Sequence, residues 1–204
     1  MCLLFETIKI NNGSFCNLQY HSERMNSSRR ALLDSKNYLD LNTLLTVPTE
    51  CSAGVFKCRV SYDHYIHKIE FEKYKIRKIK TIQLVNADNA EYSHKFTDRS
   101  FIEKLKKNST ADEILIVKNG RITDTSFSNI VFFDGKKWIT PDCPLLKGIT
   151  RKQLLEKGTI FERKICPADL GKFTNAKLIN AMLDFEESPE IEMKNILDFN
   201  RKEY

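Results

Sequence analysis

The chain has 204 residues, of which 41% are hydrophobic and 29% charged, and its formal net charge is +6. This composition is that of an ordinary globular protein, with enough residues for one large core or two smaller ones. No apolar run reaches 18 residues, so no transmembrane helix is expected. The positive charge favours an anionic ligand, such as a phosphate-bearing cofactor or a dicarboxylate.

The first part of the chain predicts strands and helices in alternation. Residues 3–10 are apolar and β-branched and predict a strand, which is followed by a turn at residues 13–17. Residues 22–33 predict an amphipathic helix, and a second helix is expected between residue 39 and Pro48. Residues 54–60 and 65–82 then predict the two strands of a hairpin.

The densest basic run of the chain is KYKIRKIK at residues 73–80. Its alternation predicts a strand with a basic outer face, and lysines of this kind discourage pairing at a sheet edge. The positive charge also admits nucleic acid. No recognised nucleic-acid motif accompanies the run, so neither a nucleic acid nor a membrane is predicted as a partner.

Residues 113–140 predict two successive hairpins. The first turns at Asn119 and Gly120, and the second turns at residues 134–137. Asp124 would project from a strand within this apolar region. Either it has a buried partner or it lies on a half-exposed face, and the local pattern leaves both open.

A helix is predicted at residues 151–157, directly after Gly148, Ile149 and Thr150, with Thr150 at or near the N-cap. The backbone N–H groups at such a helix start, together with the helix dipole, can bind a phosphate. An ordinary capped helix has the same sequence features, and this alternative stays open here.

Residues 124–132 (DTSFSNIVF), Thr140-Pro141 and residues 146–151 (LKGITR) together resemble the signature of the class IV aminotransferases, the fold-type IV pyridoxal phosphate enzymes. Residues 5–10 (FETIKI) and 21–25 (HSERM) resemble the early strand and first helix of that family. The resemblance implies an α/β (α+β) architecture of two domains. Their predicted bounds are 1–85 for a small N-terminal α/β domain, 86–89 for a linker and 90–204 for a larger, β-rich cofactor-binding domain.

The same resemblance implies a set of residues that hold pyridoxal 5'-phosphate. Lys95, within residues 94–99 (HKFTDR), corresponds to the catalytic lysine that binds the cofactor covalently. Asp124 stands where the family usually has a glutamate that pairs with the pyridine nitrogen. The phosphate contacts implied by the resemblance are Arg24, Gly148, Ile149, Thr150 and Asn180.

Three activities are compatible with this resemblance. The segment after Lys95 and the run Asn180-Ala181-Met182 are similar to the lyase pattern, which implies cleavage of 4-amino-4-deoxychorismate to pyruvate and p-aminobenzoate in folate synthesis. The first alternative is a transaminase of the branched-chain or D-amino acid type. The second is a non-catalytic homologue that binds the cofactor or phosphate, because only residues 1–4 precede the Phe-Glu-Thr segment and Phe127 stands where the family often has glycine.

The remaining expectations concern partners and compartment. The family resemblance implies a small anionic amino or oxo acid as substrate and a homodimer as the assembly. Six cysteines without a CxxC pair or a secretory leader predict reduced thiols in the cytoplasm. His64 and His67 lack the companions that would complete a metal site, so no metal is predicted.

Overall fold

The computed structural model describes residues 3–199, which divide into two compact units. The first comprises the described residues up to Ile76 together with His94–Asp98, and the second comprises Arg77–Ser93 with the described residues from Arg99 onward. These units differ from the predicted domains in two places. The strand at Ile82–Asn86 pairs in parallel with Glu113–Lys118, which makes it part of the second unit, whereas His94–Asp98 belongs to the first.

A four-stranded sheet and one long helix build the first unit. Strands lie in the order β2-β1-β3-β4, and each neighbouring pair is antiparallel. The elements are β1 (Leu4–Asn11), β2 (Ser14–Phe15), α1 (Leu18–Leu33), α2 (Leu41–Leu44), β3 (Val55–Tyr62) and β4 (Ile66–Lys73).

The helix α1 begins four residues earlier than predicted. Asn17 has a φ of 60°, a left-handed conformation that asparagine tolerates, and it turns the chain directly into the helix. The core of this unit forms where α1 packs on β1 and β3. Because side chains alternate along a strand, Leu4, Glu6, Ile8 and Ile10 of β1 share the face that packs in this core. A glutamate on that face must have buried partners.

The predicted strand at residues 65–82 is wrong over most of its second half. β4 ends at Lys73, and residues 74–81 form no strand before Ile82. β4 is an edge strand, so a continuation would have had one neighbour at most. The chain is held instead by the Asp112 carboxylate, which accepts hydrogen bonds from the backbone N–H groups of Lys80 at 2.8 Å and Thr81 at 3.0 Å.

Two sheets and two helices build the second unit. One sheet has the order β13-β5-β6-β7 and the other has the order β10-β9-β8-β11-β12. The helices are α3 (Ser100–Lys107) and α4 (Ile149–Glu156). The strands are β5 (Ile82–Asn86), β6 (Glu113–Lys118), β7 (Arg121–Thr125), β8 (Asn129–Phe133), β9 (Trp138–Pro141), β10 (Ile160–Arg163), β11 (Asn175–Ile179), β12 (Glu190–Glu192) and β13 (Ile196–Leu197).

Both predicted hairpins of this unit are confirmed. Asn119 and Gly120 have φ values of 49° and 70°, as a two-residue turn between antiparallel strands requires. The main core cluster joins the two sheets through side chains such as Leu115 of β6, Phe132 of β8 and Leu178 of β11. The mixture of helices with parallel and antiparallel strands confirms the predicted α/β class.

Arg29 of α1 is fully buried, which is rare for arginine. Its guanidinium donates to the carbonyl oxygens of Asp63 at 3.1 Å and His64 at 2.7 Å, and to that of Asn37 at 2.9 Å. It also donates to the side-chain oxygens of Asn26 at 2.7 Å and Asn37 at 2.9 Å. The side chain therefore fastens α1 to the loop after it and to the turn between β3 and β4.

Within residues 3–199, no helix is long and apolar enough to cross a membrane. The same residues contain no group of three or more His, Cys, Asp or Glu side chains that could hold a metal ion. The five cysteines in this range are all free thiols.

Candidate active site

The predicted catalytic lysine lies in a segment that pairs with β1. Phe96 forms an isolated antiparallel bridge with Leu4, and the Phe5 N–H donates to the Lys95 carbonyl at 2.9 Å. The Lys95 ammonium lies 4.7 Å from the centre of the Phe5 ring, and the Arg59 guanidinium carbon lies 3.8 Å from that same centre. Backbone pairing and a shared aromatic ring thus fix Lys95 to the sheet of the first unit.

Arg24 belongs to a buried network with Glu6 and His21. It donates to the two carboxylate oxygens of Glu6, from Nε at 3.0 Å and from Nη2 at 2.5 Å. The His21 Nδ1 lies 2.6 Å from Glu6 Oε2. Glu6 and His21 are fully buried, whereas the Arg24 side chain is 16% exposed. The network therefore connects the core of the first unit with a partly accessible guanidinium.

The protonation states of this network follow from burial and charge. Burial acts to raise the pKa of Glu6, but the charge of Arg24 and the hydrogen bond from His21 outweigh it and lower that pKa to about 2. Burial lowers the pKa of His21, although the Glu6 carboxylate opposes this, so the ring is neutral at pH 7. A neutral ring beside a carboxylate carries its proton on Nδ1, and Nε2 is then a buried acceptor without a partner among the described residues.

Asp124 is buried in the second unit and both of its oxygens are hydrogen-bonded. Asn129 Nδ2 donates to Oδ1 at 2.6 Å, and the Leu146 N–H donates to Oδ2 at 2.8 Å. Its residual exposure is 5%, so the half-exposed alternative is wrong. Burial raises the pKa of Asp124 to about 6, against the lowering effect of these hydrogen bonds. The carboxylate joins the end of β7 to the loop that precedes α4.

The start of α4 is shaped by Gly148, not by Thr150. Gly148 is the N-cap residue with an extended backbone, and Thr150, which was predicted at or near the N-cap, is the second residue of the helix. No side chain caps the first turn. A Cβ atom at position 148 would lie 2.1 Å from Asn129 Oδ1, while Asn129 Nδ2 also donates to the Leu146 carbonyl at 2.8 Å. Glycine is required because the Asn129 amide occupies the space beside it.

Replacing Gly148 with alanine should therefore disturb this helix start. The added methyl group would force either α4 or the Asn129 amide, which makes two hydrogen bonds, to move. We expect a loss of about 1–3 kcal/mol in the free energy of unfolding. Urea unfolding measures this loss. The matched control is Gly171→Ala, because an added Cβ there would meet nothing within 4 Å. Equal stabilities of the two variants would contradict the assigned role of Gly148.

Asn180 follows β11 in a turn. Its side-chain oxygen accepts a hydrogen bond from the Met182 N–H at 2.8 Å, and its carbonyl accepts one from the Leu183 N–H at 3.2 Å. In the described structure no hydrogen bond joins it to Asp124 or to α4. The structure thus assigns Asn180 a turn-forming contact, and its role toward a phosphate stays a prediction.

Known proteins resemble this chain in sequence and in fold. The sequence profile described as "Amino-transferase class IV" matches residues 3–185. The chain belongs to the class IV aminotransferase family. An uncharacterized protein from Haemophilus influenzae is 40% identical over 182 residues, which cover 88% of this family member and 97% of that relative.

Solved structures share the fold of this class IV family member. The crystal structure of a "putative 4-amino-4-deoxychorismate lyase" from Haemophilus somnus 129PT has a TM-score of 0.84 and 34% identity, and it covers 89% of this chain and 97% of that one. A hypothetical aminotransferase from Mycobacterium tuberculosis, in its PLP-bound form, has a TM-score of 0.74 and 18% identity, with coverage of 93% and 80%. At that identity the second similarity concerns the fold alone.

Pyridoxal phosphate is the cofactor of the class IV family, and residues of this chain fit it. The first turn of α4 has no side-chain cap, and the N–H groups at such a helix start can bind a phosphate. Asp124 keeps a buried carboxylate whose oxygens each have a second lone pair beyond the hydrogen bond already accepted. The hydrogen bonds from Asn129 and Leu146 thus fix the position of the Asp124 carboxylate.

The sequence motifs of this class IV family member predict no role for Glu6, His21 or Asn129. A signal for the first two was present. Glu6 lies between Leu4 and Ile8 on one apolar face of a predicted strand, and a carboxylate in that position needs a buried partner. His21 and Arg24 lie three positions apart, which places them on one side of a helix. For Asn129 no local signal exists, because its contacts depend on where the 146–148 loop folds.

Proposed function

We propose that this class IV family member is a pyridoxal phosphate-dependent lyase that cleaves 4-amino-4-deoxychorismate into pyruvate and p-aminobenzoate. The observation that carries the proposal is the buried Asp124 carboxylate beside the uncapped start of α4. Burying a carboxylate has an unfavourable free energy, so a site that contains a buried carboxylate is a candidate for binding a cationic group. The lyase-like segment after Lys95 and the name of the Haemophilus somnus relative support the choice of substrate.

Each proposed residue has a task that its chemistry suits. When bound, pyridoxal phosphate supplies an electron-accepting ring that stabilises negative charge on the substrate carbon. Lys95 would hold the cofactor through its ε-amino group and afterwards accept and return a proton at Nζ. Asp124 would keep a proton on the pyridine nitrogen. Arg24 and the N–H groups of α4 at Gly148, Ile149 and Thr150 would bind the phosphate, with Asn180 as a further contact.

The proposal includes a substrate class, an assembly and a compartment. The net charge of +6 supports a small anionic amino or oxo acid. The family resemblance supports a homodimer, and the free thiols of Cys16, Cys51, Cys58, Cys143 and Cys166 support the cytoplasm. We propose neither a nucleic acid nor a membrane as a partner.

The decisive experiment supplies the protein with pyridoxal phosphate and 4-amino-4-deoxychorismate, without any 2-oxo acid acceptor. The proposal expects pyruvate and p-aminobenzoate in equal amounts over many turnovers. A transaminase would instead need both an amino acid and a 2-oxo acid, and would release no pyruvate from this substrate alone. Cofactor binding without either reaction would replace the proposal by a non-catalytic binding protein.

A further inference from the structure

The Glu6 carboxylate is a fully buried charged group to which the proposed function gives no task. It is fully buried on the apolar face of β1, and all of its observed hydrogen-bond partners come from α1. Burying a carboxylate is unfavourable unless it is well paired. An apolar residue would fill that position on the strand without this cost, so we expect the carboxylate to have a role in holding its partners.

The geometry of the pair restrains the arginine more than a single contact would. Arg24 presents Nε and Nη2 to the two oxygens of one carboxylate, at 3.0 and 2.5 Å, and such a bidentate contact fixes both the position and the plane of the guanidinium. His21 Nδ1, at 2.6 Å from Oε2, fixes the carboxylate in turn. Since His21 and Arg24 lie three residues apart on α1, one helix face holds both partners.

We propose that Glu6, held by His21, is a positioning residue that fixes the Arg24 guanidinium for the phosphate of the cofactor. The inference rests on the proposed function, which assigns Arg24 to the phosphate. An arginine that is already immobile loses less side-chain entropy when it binds, which is the usual benefit of preorganisation. Glu6 lowers the net charge of the site, so its contribution is the geometry of Arg24 and not additional attraction.

The test separates geometry from charge through the variant Glu6→Asp. This variant keeps the negative charge but withdraws the carboxylate by one methylene from Arg24 and His21. Binding of pyridoxal phosphate and of pyridoxal, which lacks the phosphate, is measured by spectroscopic titration. We expect the dissociation constant of pyridoxal divided by that of pyridoxal phosphate to fall at least about tenfold, mainly through weaker binding of pyridoxal phosphate. The matched control is Glu23→Asp, the same substitution one position before Arg24, which should leave the ratio unchanged.

A second background shows whether Glu6 acts through Arg24. In an Arg24→Met protein the ratio should already be low, and adding Glu6→Asp should change it no further. An unchanged ratio in Glu6→Asp, with a collapsed ratio in Arg24→Met, would overturn the positioning role and leave the proposed function intact. An unchanged ratio in Arg24→Met would instead remove the phosphate role of Arg24 itself.

Two His21 variants keep the inference testable if Glu6→Asp does not fold. His21→Asn retains an N–H donor at the position of Nδ1, whereas His21→Leu removes it. The positioning role expects the ratio to be preserved in the first and lowered several-fold in the second. Equal ratios in these two variants would contradict a role of His21 in holding Glu6.

Discussion

The Lys95→Ala variant should bind pyridoxal phosphate without a covalent bond and should lose at least about 10⁴-fold in turnover, because the ε-amine both attaches the cofactor and moves the proton. Reduction of the loaded protein with borohydride, followed by peptide mapping, measures the attachment. In the wild type one phosphopyridoxyl group should appear on the peptide that contains Lys95.

The control for this result is Lys57→Ala. Lys57 is a half-buried lysine of β3 in the same unit, and it pairs with Glu72 in the neighbouring strand β4. Its removal should leave both the attachment and the turnover unchanged. Stoichiometric modification of a different lysine, or a Lys95→Ala protein that still turns over at the wild-type rate, would contradict the role of Lys95 as the lysine that binds the cofactor.

The Arg29→Met variant should lose about 3–5 kcal/mol in the free energy of unfolding, the largest effect on stability that we expect from a single side chain. Methionine fills most of the volume but donates no hydrogen bond. The carbonyl oxygens of Asn37, Asp63 and His64 would each lose a donor inside the protein. Urea unfolding followed by far-ultraviolet circular dichroism gives the midpoint of the transition and its dependence on urea concentration, from which the free energy of unfolding follows.

Arg30 provides the comparison for Arg29, because it is the next residue of α1 and is exposed. Arg30→Met should change the free energy of unfolding by less than about 0.5 kcal/mol. Arg29→Lys should also be clearly destabilised, since an ammonium has three donors at one point and cannot reach five acceptors spread around a planar fork. Similar stabilities of Arg29→Met and Arg30→Met would show that the network does not hold the unit together.

The basic segment at residues 73–80 shows where a local pattern misleads. Its alternation predicts a strand, yet a strand is stable only when a neighbouring strand pairs with it. The Tyr74 N–H still donates to the carbonyl of Val55, but Val55 is the first residue of β3, so β3 offers no further strand residue for pairing. By contrast, Asn119 and Gly120 specify their turn through their own backbone preferences, and that hairpin formed as predicted.

The sequence by itself determined β1, the two hairpins of residues 113–140 and a helix just after Gly148. Its motifs also indicated the family, and the roles of the candidate site residues that they carry stay predictions. Those features depend on residues close together in the chain, whose preferences act without the rest of the fold. Only the tertiary structure decided that Glu6 meets Arg24, 18 positions away, and that Asp124 meets the Leu146 N–H, 22 positions away. Such contacts arise because burial forces a polar group to find whichever partner the packed chain brings to it, and no local pattern encodes that partner.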